Sequence, residues 1–175
     1  MEESQVSYFL TSPRLGFRHW TREDEARAAL IWQDAEVMRH MGGPYTEDGT
    51  RSRLASEMAR QEHLGFQYWP IFLRDTGEFA GCSGLRPFHD EEGVLEFGVH
   101  IARRFWSARL GEEAARAVMG YACETLATRT FVAGHGPQNL ASKALLLRLG
   151  FIFTHEEPWG AHGIMHPHYR LTLEP

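Results

Sequence analysis

The sequence has fewer basic than acidic residues and no long apolar run. Its 175 residues include 18 Lys and Arg against 23 Asp and Glu, which gives a formal net charge of -5. Because proteins that bind nucleic acid draw most of their affinity from clustered Lys and Arg, we expect no nucleic-acid partner. No segment approaches the roughly 20 apolar residues of a membrane-spanning helix, and Met1–Tyr8 lacks the apolar core of a signal peptide. We therefore expect a soluble, unprocessed protein without a membrane partner.

Cysteine is scarce, and the composition shows no linker between domains. Cys82 and Cys123 both lie in apolar sequence and form neither a Cys-x-x-Cys pair nor a disulfide framework. A reducing, cytoplasmic location is the simplest expectation. Internal repeats and low-complexity tracts are also lacking, so we expect residues 1–175 to form a single domain.

Apolar periodicity predicts a mixture of helices and strands. Leu15 and Phe17 indicate a short strand, and Thr21–Asp24 is typical of a capping box that opens a helix reaching about Trp32. A second helix containing Leu54 and Met58 is predicted to end near Gly65. Further strands are predicted at Phe66–Arg74, Glu78–Leu85, Leu95–Ile101, Thr130–Gly134, Phe151–His155 and Tyr169–Leu173, with turns at 75–77 and 90–93. Two more helices are predicted at Gly111–Leu126 and Asn139–Leu149. This order predicts an α/β fold, also describable as α+β, with a mixed sheet and helices on both faces.

The segment from residue 95 to residue 113 carries most of the polar chemistry. Apolar residues alternate along the predicted strand with Glu96, Gly98 and His100, so these three residues share one face. An Arg-rich loop, Ala102–Leu110, then leads directly into a helix. The exposed N–H groups of a helix start suit a diphosphate, and the arginines of the loop add cations. Charge alone equally supports a solvated basic turn.

Several short segments together resemble a known family. In chain order they are Leu10–Arg18, Glu36–Gly43, Thr76–Leu85, Glu96–Ile101, Asn139–Ser142 and Leu149–Phe151. Each segment alone is weakly specific, but their order and spacing over nearly the whole chain are similar to the GNAT superfamily of N-acetyltransferases. Within that superfamily they resemble the branch typified by ribosomal-protein alanine N-acetyltransferases.

The resemblance implies a GNAT-like fold with a splayed central sheet and acetyl-CoA as co-substrate. The strand ending at Ile101 would separate from its parallel neighbour near 131–133, and the backbone of Val99, His100 and Ile101 would bind the pantetheine arm like an added strand. Asn139 and Ser142 would lie beside that arm. The loop that follows the strand would hold the diphosphate through Arg104, Trp106, Ser107, Ala108, Arg109, Leu110 and Gly111.

The sequence departs from the family pattern at two places. Ser107 and Arg109 occupy positions of the phosphate loop where the family usually has glycine. A non-glycine residue in a left-handed conformation costs about 1–2 kcal/mol, so either the loop backbone differs or affinity for CoA is reduced. The Arg109 guanidinium is a candidate to compensate by binding a CoA phosphate. Leu146 occupies the position where many members have a tyrosine acid, which leaves water to protonate the departing thiolate.

Direct attack of an amine on the thioester requires a base, and two residues compete for that role. Glu96 is favoured, because burial on the polar face of its strand would raise a carboxyl pKa from about 4.3. His100, on the same face, is the rival. The structural alternatives are an ion-paired Glu and a hydrogen-bonded His without a catalytic part. The acceptor stays open between a protein N-terminus and a small-molecule amine.

Other patterns are compatible with further roles. Trp32, Tyr68 and Trp69 either line an acceptor pocket or belong to the core, which is the commoner place for such residues. His155, His162, His166 and His168 include a His-x3-His-x-His pattern, but in a segment rich in Gly and Pro they are expected to lie on a solvated connection without metal.

Two functions compete with the acetyltransferase. The first is a non-catalytic module that binds CoA and senses effectors, which the altered phosphate loop and the missing tyrosine would both permit. The second is a toxin-like acyltransferase acting on aminoacyl-tRNA, which the acidic composition disfavours. Homodimers are common in such families, yet nothing in the sequence marks an interface.

Overall fold

The computed structural model describes residues 7–89 and 91–174. The sequence predictions for Met1–Val6 and for Asp90 therefore lie outside the described residues. Eight strands and four α-helices follow one another in the described chain, and the strands are β1 (Leu10–Thr11), β2 (Leu15–Phe17), β3 (Tyr68–Leu73), β4 (Phe79–Pro87), β5 (Val94–Ile101), β6 (Thr130–Gly134), β7 (Ile152–Trp159) and β8 (Ile164–Thr172). The helices are α1 (Glu25–Trp32), α2 (Glu47–Leu64), α3 (Leu110–Thr125) and α4 (Leu140–Leu149).

All eight strands form one mixed sheet with the order β1-β2-β3-β4-β5-β6-β8-β7. Within the described ranges, β5 and β6 are the single parallel pair, and every other neighbouring pair is antiparallel. A parallel pair requires a crossover, and α3 provides it. The predicted mixed sheet is therefore confirmed.

Helices cover both faces of the sheet. On one face, Leu110 and Val118 of α3 and Leu146 of α4 pack with Leu85 and Phe131 of the strands. On the other face, Ile31 and Trp32 of α1 and Leu54 of α2 pack with Phe72 and Cys82. Because side chains alternate between the two faces along β3 and β4, each of these strands contributes residues to both cores. None of the helices in the part of the chain that the structure describes is both long and apolar enough to cross a bilayer.

The prediction for the end of the chain was wrong. A solvated connection was expected between strands at 151–155 and 169–173, but β7 and β8 form a long hairpin that extends to Trp159 and resumes at Ile164. Prolines obscured this hairpin in the sequence, since proline lacks the N–H that a ladder needs. Pro158 is tolerated because β7 is an edge strand, and Pro167 is tolerated because it lies just beyond the last β6–β8 pair, Gly134 with His168.

The start of α1 is organised by a buried carboxylate. Asp24 is 1% exposed and accepts two hydrogen bonds from the Arg18 guanidinium, at 2.6 and 2.7 Å, and one from the Thr21 backbone N–H at 2.9 Å. Burial opposes the ionisation of Asp24, but these bonds outweigh it and hold its pKa at about 2. The carboxylate thus ties the end of β2 to the first turn of the helical segment.

Asp24→Asn is expected to lower the free energy of unfolding by about 2 kcal/mol at neutral pH, because the ionised form is the one that the folded state stabilises. The contribution of Asp24 is complete above the ordinary Asp pKa of about 3.9 and declines as the pH falls toward the folded-state value. Urea unfolding of both proteins at several pH values measures this difference. Asp75→Asn, the same change at an exposed position of the turn between β3 and β4, is the matched control and should change stability little. A difference between wild type and Asp24→Asn that is equally large at acidic pH would contradict the assignment.

Candidate active site

The central feature of the site is a gap in the sheet between β5 and β6. The two strands pair only from Val94 to Glu96, opposite Thr130 to Val132. Beyond Glu96 the strands diverge, while β4 continues to pair with β5 as far as Ile101. The predicted splay of the central strands is therefore present, and the far half of β5 has one edge without a strand partner.

The peptide groups that face the gap follow from the alternation of the strand. The Ala102 N–H donates to Ala80 O at 2.8 Å, and the His100 carbonyl lies so close to Gly81 that a Cβ there would collide with it. Both groups therefore point toward β4. Because neighbouring peptide groups point to opposite edges, those of Val99 and Ile101 face the gap. The Ile101 carbonyl accepts a hydrogen bond from Trp106 Nε1 at 2.8 Å, which leaves the backbone of Val99 fully directed into the gap.

The gap opens into a cavity of about 490 Å³, a size typical of sites for small molecules and cofactors. Most of the predicted cofactor residues line it, namely Val99, Ile101, Trp106, Arg109, Leu110, Gly111, Asn139 and Ser142. Arg104, Ser107 and Ala108 do not. Arg104 turns away to Glu78, with 3.3 Å between Nη1 and Oε1, and Ser107 and Ala108 lie exposed in a 3₁₀ turn.

Arg109 joins this 3₁₀ turn to α3 in a left-handed conformation with φ of 56°. It occupies one of the positions where the resembled family has glycine, and the conformation costs an arginine about 1–2 kcal/mol. The loop therefore keeps a glycine-type backbone at this position despite the substitution. Among the described residues its guanidinium has no hydrogen-bond partner, and Arg109 lines the cavity from the position directly before the first turn of α3. Strain of this kind is often found where a functional group has to be positioned.

Asn139 is the N-cap of α4, and the helix begins one residue later than predicted. Its Oδ1 accepts a hydrogen bond from the Ser142 N–H at 3.1 Å. The cap satisfies one of the free N–H groups of the helix start. Since Oδ1 is engaged in this way, Nδ2 is the group of this side chain that is left to donate toward the cavity.

A smaller cavity of about 80 Å³ adjoins the first on the polar face of β5, and Glu96 lines it. His100, Val99, Asn139 and Ser142 line both cavities, so the two are direct neighbours. Glu96 Oε2 lies 3.4 Å from Arg86 Nε, and the Glu96 side chain is 27% exposed. The carboxylate therefore has a cationic neighbour and access to solvent.

Arg86 and Tyr68 hold the floor of the smaller cavity. Arg86 Nη2 donates to the Tyr68 hydroxyl at 3.2 Å. Tyr68 is 1% exposed, and Trp32 and Trp69 are 0% exposed, so all three aromatic residues belong to the core. Of the three, Tyr68 lines a cavity. The structure thus agrees with the core placement that the sequence analysis gave as the commoner one for such residues, and the two tryptophans line neither cavity.

His100 lies beside Glu96 in a much less polar setting. Its Nδ1 atom is shielded from solvent and has no hydrogen-bond partner among the described residues, and its ring stands edge-on to Tyr68 at 6.0 Å. Burial, the largest cause, and the nearby cations of Arg53 and Arg86 together lower the pKa of His100 to about 3. The ring is therefore neutral at neutral pH and a weak proton acceptor.

Sequence reasoning missed the opposite wall of the main cavity. Glu36, Val37, Arg39 and His40, in the connection between α1 and α2, line it. This segment contributed to the family resemblance, but no alternation or helical period assigned it a role. A buried ion cluster beneath the site was also missed. In that cluster, Glu57 on α2 is 0% exposed and accepts hydrogen bonds from two arginines and from the Tyr68 N–H.

The histidines near the end of the chain do not converge as a group. His162 is exposed in the turn of the β7–β8 hairpin, and His166 is buried against Trp159 with 4.8 Å between ring centroids. His155 and His168 lie on paired strands and share a neighbour, Glu157. The spacing His-x3-His-x-His therefore does not describe the cluster that the fold creates.

The neutral state of His100 is testable by NMR. The imidazole signals that disappear in His100→Gln identify the residue, and in the wild type they are expected to show no protonation shift from neutral pH down to about pH 4. The reason is that a buried ring beside two guanidinium groups resists a further positive charge. A titration midpoint near the ordinary His pKa of about 6.5 would contradict this environment.

Comparisons with known proteins agree with this architecture. A family model described as an acetyltransferase (GNAT) domain matches residues 14–152. An uncharacterized N-acetyltransferase, p20 of Bacillus licheniformis, is 28% identical over 145 residues, which cover 81% of each chain. An acetyltransferase structure from Agrobacterium tumefaciens is 25% identical, with a TM-score of 0.79 over 96% of this chain and 98% of the other. A ribosomal L7/L12 alpha-N-protein acetyltransferase, RimL, solved in complex with coenzyme A, shares the fold with a TM-score of 0.77 at 16% identity, over 93% of this chain and 96% of its own.

The family model covers β2 to β6, the four α-helices and the residues that line both cavities, which together make up well over half of the chain. On this ground, the protein belongs to the GNAT family and is an N-acetyltransferase.

Proposed function

We propose that this protein transfers the acetyl group of acetyl-CoA to a primary amine by direct attack within a ternary complex, and that residues 1–175 act as one N-acetyltransferase domain. The observation that carries the proposal is the gap between β5 and β6, which leads past the peptide groups of Val99 and Ile101 to the carboxylate of Glu96. The acceptor is either a protein N-terminus or a small-molecule amine.

The residues around the main cavity fit a CoA molecule. The peptide groups of Val99 pair with an extended amide chain in the way that a sheet edge accepts an added strand. The N-terminus of α3 offers free N–H groups to the diphosphate, and Arg109, the residue directly before this helix, adds a cation at the cavity. Nδ2 of Asn139 donates to a carbonyl of the pantetheine arm. When bound, acetyl-CoA supplies an activated acyl carbon to the acceptor side of the gap.

Glu96 is the better candidate for the base. Deprotonation of an ammonium group requires a base that is unprotonated at neutral pH and is still basic enough to accept the proton of the amine. The His100 pKa of about 3 makes its ring a poor acceptor. Glu96 has solvent access through which a proton can leave, and its charge also attracts a cationic amine into the smaller cavity.

Arg86 and Tyr68 act through Glu96 and are positioning residues. Arg86 Nε lies 3.4 Å from Glu96 Oε2 and holds this oxygen in place, so that the other carboxylate oxygen is left to face the amine. The Tyr68 hydroxyl in turn accepts a hydrogen bond from Arg86 and holds its guanidinium. The N–H groups of β5 that face the gap are candidate donors to the oxyanion that forms on attack. Leu146 offers no proton, so water protonates the departing thiolate.

Glu96→Gln is expected to lower kcat/KM for acetyl transfer by about 10²- to 10⁴-fold, the range that general bases supply. The defect should shrink at high pH, since an α-amine with an ordinary pKa of about 7.7–8.0 then loses its proton to solvent. Release of the CoA thiol is measured with a panel of N-terminal peptides, peptides whose only amine is a lysine side chain, and spermidine. Glu124→Gln, at an exposed position of α3, is the control and should keep wild-type activity.

Equal activity of Glu96→Gln and wild type with the best acceptor would overturn the assignment of the base. Binding of acetyl-CoA by the wild type without turnover of any amine would instead favour the non-catalytic module. The two outcomes are distinguishable because calorimetry measures binding without an acceptor.

Arg109→Gly is expected to weaken CoA binding by about ten-fold, because a charge-assisted contact to phosphate is lost. Glycine adopts the left-handed conformation without a steric cost, so the loop should keep its path and the protein should unfold at the same or a higher urea concentration. Calorimetric titration with CoA and urea unfolding measure the two effects separately. Arg103→Gly removes an exposed arginine of the same turn that does not line the cavity, and should leave affinity unchanged. Unchanged affinity of Arg109→Gly would show that the guanidinium does not bind phosphate.

A further inference from the structure

Four side chains that the proposed reaction does not use meet at the base of the β7–β8 hairpin. We call them the hairpin cluster: His89, which follows β4, His155 and Glu157 on β7, and His168 on β8. His155 and His168 are direct partners in the β7–β8 ladder. His155 and Glu157 are two residues apart on one strand, so their side chains share a face.

Nitrogen atoms of all three imidazoles surround the Glu157 carboxylate. His155 Nε2 lies 2.6 Å from Oε1, His89 Nε2 lies 3.0 Å from Oε2, and His168 Nε2 lies 3.9 Å from Oε2. The ligand atoms of His155, Glu157 and His168 all lie within 4.8 Å of one another. These separations bracket the distance of about 3.4 Å between ligands in a tetrahedral zinc site with bonds of about 2.0–2.1 Å.

Hydrogen bonds behind the cluster fix which nitrogen carries the proton in two of the rings. His168 Nδ1 lies 3.0 Å from the His166 carbonyl oxygen, which only accepts, so Nδ1 holds the hydrogen. The Thr154 hydroxyl donates to the His168 carbonyl at 3.1 Å and therefore accepts from His155 Nδ1, 2.9 Å away. In the neutral rings, both Nε2 lone pairs thus point toward the carboxylate.

In neutral rings, the Nε2 lone pairs of His155 and His168 thus face a carboxylate that can only accept hydrogen bonds. No hydrogen bond can form between two acceptors, so the contacts would be repulsive. A positive charge between them has to compensate, either as protons added to the rings or as a metal cation. One proton on His155 would satisfy its contact with Glu157 at 2.6 Å, but it would leave the Nε2 lone pair of His168 without a partner, 3.9 Å from Oε2. A single divalent cation between the two stacked rings would instead satisfy both lone pairs and the carboxylate at once.

We propose that the hairpin cluster binds one divalent transition-metal ion, with His155, His168 and Glu157 as ligands and His89 as the fourth. Imidazole with one carboxylate is a ligand set suited to Zn²⁺. The backing hydrogen bonds from Nδ1 to a carbonyl and to a hydroxyl are of the kind that orients histidine ligands in metal sites.

The proposed ligands come from parts of the chain that are distant in sequence. His89 has a left-handed backbone with φ of 46°, a strained conformation that brings its ring over Glu157. A cation here would fasten the segment after β4 to the edge hairpin. His168 also contacts Gly134, which lines the smaller cavity, so the cation would lie behind the wall of the acceptor side.

The test uses the full chain produced without a polyhistidine tag, stripped with a chelator and titrated with Zn²⁺ at neutral pH against a chromophoric competitor. The wild type is expected to bind one Zn²⁺ per chain and to melt at a higher temperature with the metal present. Co²⁺ in place of Zn²⁺ should give the intense visible absorption of a four-coordinate site.

His155→Asn, at an exposed position, is expected to weaken Zn²⁺ binding by well over ten-fold and to abolish the thermal shift. Thr154→Val, which removes a support of the His155 ring, should weaken binding by about 10- to 100-fold. His162→Asn changes an exposed histidine of the same hairpin outside the cluster and is the matched control, with wild-type affinity expected. Absence of stoichiometric uptake by the wild type, or equal loss in His155→Asn and His162→Asn, would overturn the proposal. None of these readouts depends on acetyl transfer, so they stand apart from the test of the proposed function.

Discussion

The separation of β5 from β6 after three paired residues is the constraint on which the rest of the site depends. An open strand edge leaves backbone groups without partners, so the strand needs support elsewhere. Here β4 pairs with β5 along its length, and α3 and α4 pack against the same face of the sheet. The gap is therefore a stable property of the fold and exists before a ligand arrives.

Charge is distributed around the gap in an ordered way. At the smaller cavity, Glu96 lies beside Arg86, and Arg86 donates to Tyr68. The Tyr68 N–H in turn donates to the fully buried Glu57, which also pairs with the mostly buried Arg53 and Arg60. Arg53 also stacks over the Tyr68 ring, at 5.4 Å from its centroid. Burial keeps His100 neutral, and the cations of Arg53 and Arg86 add to this effect. Two polar residues on one face of β5 therefore differ in their surroundings: Glu96 has a cationic neighbour, and His100 is an uncharged ring.

Sequence patterns predicted the elements with strong periodicity. The alternation of β5 placed Glu96 and His100 on one face, and the helical period of α3 located that helix within one residue at each end. Patterns failed where long-range packing decides. Residues 36–40 gained a place in the cavity from tertiary contacts alone. Pro167 and the buried histidines of β8 disguised a strand, because its buried face is partly polar. The hairpin cluster joins His89 to residues more than sixty positions later, and no local spacing predicts it.

The cap of α4 limits which residue can occupy position 139. Ser, Thr, Asp and Asn all serve well as N-caps, because each has an oxygen that accepts from the helix start. Once that oxygen is engaged with the Ser142 N–H, a ligand in the cavity can be bound only by a remaining donor. Asp has none when ionised, and the hydroxyls of Ser and Thr reach less far, whereas Asn keeps two N–H hydrogens on Nδ2. A substitution of Asn139 by Asp would therefore preserve the helix cap and remove the donor. Folding alone would accept Asn and Asp equally at this position, whereas binding of a ligand through the donor would require Asn.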